Sequence, residues 1–167
     1  MSLVACDQEE TLITPSLKES VEFDVVNPEF EVVDALKSEN IKNVAEDADF
    51  NGNVNVNLND IWIEVKINNS NQADIARLNL SMMADGNEVS LLNEDAFVAL
   101  ENKVTIVPLV KILSEEGRME LMNKLNNITA GTDETDIEMT LSGETFFNEG
   151  MSGSVDLDME MFIRYSF

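Results

Sequence analysis

The chain has no histidine, a single cysteine and only 10 basic residues among 167. Without histidine it lacks the commonest general base and a usual ligand of zinc and iron. Nucleophile pairs that depend on a histidine base are excluded for the same reason. Carboxylate pairs stay available, but among 33 acidic residues no spacing singles one pair out. The sequence therefore favours a protein that is not an enzyme, with no catalytic residues to name.

Basic charge is scarce, and the formal net charge is -23. A charge of this sign and size repels phosphate backbones and anionic lipid head groups, so no nucleic-acid partner is expected. Cations and basic protein surfaces are the favoured partners. The alternative interpretation is that the acidity only keeps a secreted or salt-adapted protein soluble. No run of 18 apolar residues occurs in this sequence, so a spanning helix is not predicted.

The single cysteine, Cys6, cannot form an internal disulfide. It follows a short apolar and small-residue tract, Leu3-Val4-Ala5, which resembles a bacterial lipobox. The next residues, Asp7-Gln8-Glu9-Glu10, resemble the acidic tract after the lipidated cysteine of Bacteroidetes surface lipoproteins, except that Gln8 stands where lysine is often found. The resemblance implies lipidation at Cys6 and an outer-membrane anchor, with the protein surface-exposed or periplasmic. The alternative is a disordered polar N-terminus with an incidental cysteine.

The N-terminal segment, residues 1–20, is predicted to end in a flexible tether. Thr14-Pro15-Ser16 is typical of a linker rather than of packed structure. Residues 21–167 are then one domain, long enough to bury a core of its own.

From Val21 onward the apolar residues recur mostly with period two, which predicts half-buried β-strands. Val21, Phe23 and Val25 alternate with acidic residues, and a less regular run spans 30–36. The closing segment, 154–167, alternates throughout. Its apolar positions are all odd: Val155, Leu157, Met159, Met161, Ile163, Tyr165 and Phe167.

Between residues 53 and 68 the apolar phase flips at Asn59-Asp60. A two-residue hairpin turn there would pair Leu58 with Ile61 and is the preferred interpretation, with a bulge in one long strand as the alternative. Trp62 would face away from the aliphatic side chains. It is a candidate anchor for a ligand such as a sugar ring, although a lone tryptophan more often covers a second core layer.

Asp85-Gly86 predicts a second hairpin, in which Met82 faces Val89. Further strands are predicted at 97–100 and 104–107, with a turn at Asn102-Lys103 between them.

One amphipathic helix is predicted at about 109–126, with Pro108 suited to its first position. The apolar residues at helical spacing are Val110, Leu113, Leu121, Leu125 and Ile128. Gly117 lies on the same stripe, which indicates close packing against a sheet, with a helix break as the alternative.

The segment from Asp47 to Gly52 matches the first half of an EF-hand-like calcium loop. Oxygen ligands stand at alternating positions, but Leu58 occupies position twelve, so this is not an EF-hand. The candidate calcium ligands are Asp47, Asp49, Asn51, Asn53 and Asp60. The competing interpretation is that Asp, Asn and Gly favour a turn. Two other acidic clusters, 132–136 and Asp156-Asp158-Glu160, are interpreted as a polar loop and a solvent face.

These patterns predict a mainly β fold, an antiparallel Ig-like β-sandwich of about eight strands with one helix. The element order is similar to that of the Ig-like water-stress domains of late-embryogenesis proteins. The predicted function is a non-enzymatic cell-envelope lipoprotein, a binding or structural module with a protein or carbohydrate partner. It would use no cofactor apart from the candidate calcium and would touch the membrane only through its lipid. The alternative is a carbohydrate-active or hydrolytic β protein with paired carboxylates.

Overall fold

A computed structural model describes residues 11–13, 16–25, 29–46, 53–100, 103–146 and 150–166. The described elements are ten strands and two helices. In chain order they are β1 (Thr11–Ile13), β2 (Ser16–Val25), β3 (Glu29–Leu36), α1 (Ser38–Glu46), β4 (Asn53–Ile67), β5 (Ile75–Ala84), β6 (Asn87–Ser90), β7 (Ala96–Ala99), β8 (Val104–Pro108), α2 (Glu115–Thr129), β9 (Ile137–Thr145) and β10 (Met151–Ser166).

The strands form two antiparallel sheets. Sheet A has the order β1-β10-β4-β8, and β2 pairs with β10 beside β1. Sheet B has the order β3-β9-β5-β6, and β7 pairs with β5 beside β6. The first half of the chain thus pairs with the second half in reverse order: β2 with β10, β3 with β9, β4 with β8, and β5 with β6 and β7.

This order is that of a jelly roll, in which one long hairpin is wrapped into two facing sheets. The predicted antiparallel β-sandwich is confirmed. The Ig-like layout is not found, because Ig domains begin with two strands in one sheet, whereas β2, β3 and β4 alternate between sheets. The described residues also contain a second helix and more strands than the eight expected.

The hydrophobic core lies between the two sheets and under α2. Alternating residues of the central strands point into it, as period two requires. On β4 the buried side chains are Val56, Leu58, Ile61, Ile63 and Val65. On β5 they include Ala76, Leu78, Leu80 and Met82. Each fully buried leucine or isoleucine contributes about 1.5–3 kcal/mol relative to an exposed one.

The predicted hairpin at Asn59-Asp60 is wrong, and the alternative bulge is confirmed. β4 runs without a turn from residue 53 to residue 67, and its register against β10 shifts at one point: Asp60 pairs with Glu160, but Leu58 pairs with Met161. Asn59 is therefore the extra residue. The bulge lets apolar residues on both sides of the phase flip face the same core.

The hairpin at Asp85-Gly86 is confirmed. β5 and β6 pair in the predicted register, with Met82 opposite Val89. Asp85 and Gly86 have φ angles of 50° and 78°, the left-handed conformation that a two-residue turn of this type needs. The strands at 96–99 and 104–108 also form, although they lie in different sheets.

The long helix begins later than predicted. Pro108 ends β8, and α2 starts at Glu115, after Ser114. The Ser114 Oγ accepts a hydrogen bond from the Gly117 amide at 2.9 Å and so caps the helix. Gly117 is buried against the end of β6, where a Cβ would lie 2.5 Å from the Ser90 carbonyl oxygen. The predicted close packing at Gly117 is confirmed, since the helix does not break there.

The predicted tether is wrong for the part of it that the structure describes. Residues 11–13 form β1 and residues 16–20 belong to β2, and both strands pair with β10. Strand pairing with the last strand of the chain overrides the linker composition of this segment. Neither described helix is long and apolar enough to cross a membrane.

Candidate functional site

The candidate calcium ligands are only partly covered by the structure. Asp47, Asp49 and Asn51 lie outside the described residues, and Asn53 is the first residue of β4. Asp60 lies seven residues further along the same strand, about 23 Å away at 3.3 Å per residue. Calcium binds oxygen at about 2.3–2.6 Å, so Asp60 and Asn53 cannot share one ion. Asn53 and Asp60 therefore cannot both belong to the predicted ligand set.

Asp60 instead has a local role, since its Oδ1 accepts a hydrogen bond from the Ile61 amide at 2.9 Å beside the bulge. Among the described residues, no three acidic or cysteine side chains are arranged to hold a metal ion. A calcium loop at 47–53 stays a prediction.

Trp62 lies on the outer face of sheet A, opposite the aliphatic side chains, as predicted. It is half-buried and stands between Asp158 of β10 and Pro108 of β8. The next positions on this face pair Asp156 with Glu64 and Glu160 with Asp60. Trp62 thus lies among carboxylates on this face and does not cover a second apolar layer there.

Two of those carboxylates are not solvent-exposed, contrary to the sequence interpretation. Asp156 is 2% and Asp158 is 6% exposed, because β10 is flanked by β4 on one side and by β2 on the other. Lys66 Nζ contacts Asp156 Oδ2 at 2.5 Å and Glu64 Oε1 at 3.2 Å. The hydrogen bond to Asp156 is the largest cause that raises the pKa of Lys66, and the hydrogen bond to Glu64 is the next largest. Lys66 therefore neutralises one carboxylate of its own strand, Glu64, and one of the neighbouring β10, Asp156, which is a structural role.

The acidic loop at 132–136 is also structural. Lys124 of α2 contacts Asp133 Oδ2 at 2.7 Å, and this contact lowers the pKa of Asp133. Asp136 accepts hydrogen bonds from the Ser38 amide at 2.9 Å and from Lys37 Nζ at 3.0 Å. Both hydrogen bonds lower the pKa of Asp136, the one from Ser38 more than the one from Lys37. Its carboxylate thereby fixes the first turn of α1 to the start of β9.

Among the described residues, several exposed apolar side chains lie in the region where β7 and β8, the edge strands of the two sheets, approach each other. We call it the apolar corner and define it by Phe97, Val104, Ile106, Pro108 and Ile112. Phe97 is 67% and Ile106 is 61% exposed. A groove of about 660 Å³ opens between the strands. Its lining residues are Asn93, Glu94, Asp95, Ala96, Phe97, Val107, Pro108 and Ile112.

The outer face of sheet B carries a polar groove of about 490 Å³. Arg77 lies at its centre, with Nη2 3.0 Å from Glu144 Oε1 and Nε 3.5 Å from Asp95 Oδ2. Glu29 stands directly opposite Glu144 on the neighbouring strand. This groove is the described region that comes nearest to the carboxylate pair required by the hydrolytic alternative.

The apolar corner is not predicted by the sequence. In β8, Thr105 and Val107 are half-buried, whereas Val104 and Ile106 are exposed. Hydrophobicity alone would turn the larger isoleucine inward. The phase is set by the pairing with β4, in which Thr105 stands beside the buried Val65 and Val107 beside the buried Ile63. No local signal in β8 carries that information.

No protein-family model and no curated protein matches this chain. Among solved structures it is similar to the empty head of turnip yellow mosaic virus, at 8% identity and a TM-score of 0.48, over all of this chain and 87% of the viral one. It is also similar to Desmodium yellow mottle tymovirus, at 12% identity and a TM-score of 0.41, over 99% and 94%. Similarity at these values carries no argument about what this chain does.

Proposed function

We propose that this chain is a non-enzymatic lipoprotein of the cell envelope that acts as a binding or structural module. Its address is supported by the lipobox-like tract ending at Cys6 and the acidic residues after it. The observation that carries the binding role is the apolar corner, because exposed apolar patches with polar borders mark interaction sites.

The position of the anchor agrees with this proposal. Four residues lie between Cys6 and Thr11, the start of β1, so these two residues are at most about 18 Å apart. β1 pairs with residues 163–165, at the far end of β10. A lipid on Cys6 would therefore hold this end of sheet A close to the membrane.

The apolar corner lies at the opposite end. The segment 163–165 pairs with residues 54–56 of β4, whereas β8 pairs with residues 62–66. From Val56 to Glu64 the strand extends about 26 Å. β8 is also the edge of sheet A most distant from β1. In the anchored protein this corner would point away from the lipid, towards a protein partner.

The test is mass spectrometry of the protein isolated from its native cells. A diacylated or triacylated Cys6 at the N-terminus of the mature chain is the expected result. A Cys6→Ala variant should move from the membrane to the soluble fraction, while a Gln8→Ala variant should stay in the membrane. A membrane fraction containing unmodified Cys6 would overturn the address.

One observation favours a second function, a carbohydrate-active or hydrolytic protein. Glu29 and Glu144 face each other across adjacent strands in the polar groove, where opposite Cβ atoms are about 4.5–5.5 Å apart. If this pair is catalytic, a screen against soluble glycosides will find activity that Glu29→Gln abolishes and Glu138→Gln leaves unchanged. A screen without any such activity counts against this function.

A further inference from the structure

The backbone of β8 offers hydrogen-bonding groups that no described strand uses. Hydrogen bonds from the Ile67 amide to the Lys103 carbonyl and from the Leu109 amide to the Ile61 carbonyl fix the phase of the ladder. Odd-numbered residues of β8 therefore point their backbone groups towards β4. The amides and carbonyls of Val104 and Ile106 point away from the sheet, as does the carbonyl of Pro108.

The neighbouring strand does not close this edge. β7 belongs to sheet B, and among the described residues it meets β8 mainly at one end, where Thr105 Oγ1 donates to the Ala99 carbonyl at 2.8 Å. Further along, the two strands are separated by the groove. A free strand edge is a template for another extended chain.

The edge also lacks most of the usual protection against pairing. Natural edge strands carry lysine, proline or inward-pointing charges. Here Pro108 stands only at the end of β8, and the four residues before it are uncharged. Val104 and Ile106 expose 47% and 61% of their surface. Their apolar side chains offer contacts for alternate residues of an added strand.

Charge decides which kind of chain this edge can accept. The charged residues that line the groove are Glu94 and Asp95, both acidic. The exposed lysines nearby, Lys103 and Lys111, lie outside the lining. A second copy of this chain would bring another net charge of -23 and be repelled. A basic segment is attracted by the groove and by the whole domain.

We propose that an extended lysine- or arginine-containing segment of a partner protein adds to sheet A as a new strand beside β8. Main-chain hydrogen bonds to Val104 and Ile106 give the affinity, apolar side chains contact the exposed Val104 and Ile106 side chains, and basic side chains on the other face of the added strand reach Glu94. This inference rests on the proposed binding role. Its test uses the unlipidated full-length chain, so it can fail or succeed independently of the result at Cys6.

The probe is a short end-blocked peptide of alternating lysine and valine, measured by calorimetry and amide hydrogen exchange at physiological ionic strength. Binding should slow exchange at the Val104 and Ile106 amides and leave the Thr105 and Val107 amides, already directed towards β4, unchanged. A peptide of the same charge with alternate amides N-methylated should bind about tenfold more weakly, because it cannot extend the ladder.

Two protein variants separate backbone pairing from charge attraction. Ile106→Pro removes one outward donor and no bond to β4, and it should weaken binding about tenfold while the fold is retained. Glu94→Gln should weaken binding severalfold. Glu138→Gln, the same charge change on the outer face of sheet B, should have no effect.

Three results would overturn the proposal. The first is equal affinity for the N-methylated peptide, which would mean attraction by net charge alone. The second is unaltered binding by a folded Ile106→Pro variant. The third is an absence of binding by the alternating peptide at millimolar concentration.

Discussion

Gly117 allows a sharp test, because two effects of opposite sign compete there. In an exposed helix position, replacement of glycine by alanine stabilises a protein by about 1 kcal/mol. At Gly117 the new methyl group would lie 2.5 Å from the Ser90 carbonyl oxygen, 2.6 Å from Ser114 Oγ and 2.7 Å from Leu91 Cα. Two of these atoms belong to the backbone and cannot rotate away. Overpacking of this kind costs about 1–3 kcal/mol.

We place the cost at the upper end, about 3 kcal/mol, because the methyl group also displaces the hydroxyl that caps α2. Set against the gain of about 1 kcal/mol in helix propensity, Gly117→Ala should lower the free energy of unfolding by about 2 kcal/mol. For a chain of this length that corresponds to a Tm lower by about 4–8 °C.

The assay is urea unfolding followed by circular dichroism, with the slope of the transition checked for constancy. Asn123→Ala is the matched control, because Asn123 is exposed on the same helix. This substitution should raise the free energy of unfolding by about 0.5 kcal/mol, since alanine has the higher helix propensity. If Gly117→Ala is as stable as the parent chain, or more stable, α2 does not pack against the end of β6 as described.

The remaining predictions concern charge and calcium. The folded-state pKa of Asp133 is lowered by Lys124, so this carboxylate contributes stability above its unfolded pKa and loses it as the pH falls through the folded value. Asp133→Asn should therefore lower the Tm near neutral pH, and the difference from the parent chain should shrink below about pH 4; a difference independent of pH would contradict this. If residues 47–53 bind calcium, calcium at about 100 times its Kd should stabilise the domain by about 2.7 kcal/mol, and a chelator should reverse the effect. Asp49→Asn should abolish that response and Asp60→Asn should not; an unchanged melting temperature after chelation counts against the loop.

The sequence predicts those parts of the fold that depend on neighbouring residues. Strict alternation identified β10, and Asp-Gly identified the β5-β6 turn together with its register. The phase flip at Asn59 could not be resolved locally, because a turn and a bulge give the same pattern. Only the continuous pairing of β4 with β10 distinguishes them. Pro108 was equally ambiguous, since proline suits a helix start and the end of an edge strand.

Three further failures have physical causes of the same kind. α1 is a nine-residue helix, and Ile41 is its one described residue in the core, so its apolar periodicity is too short to detect. The segment 11–20 is predicted to be a tether because Thr14-Pro15-Ser16 is typical of a linker, whereas its strands exist only through pairing with β10. The candidate site was missed altogether, because the exposure of Phe97 and Ile106 follows from the position of their strands at sheet edges.

The reverse-order pairing of the strands also constrains when the molecule can fold during synthesis. β10, which is made after every strand it pairs with, occupies the middle of its sheet, between β4 and the strands β1 and β2. While the ribosome still holds residues 151–166, β1 and β2 lack the strand they pair with and β4 lacks one of its two neighbours. These strands cannot acquire their structure one after another as they are made, and their non-local pairings make folding slow. A stop codon just before residue 151 would leave a product that lacks the central strand of sheet A.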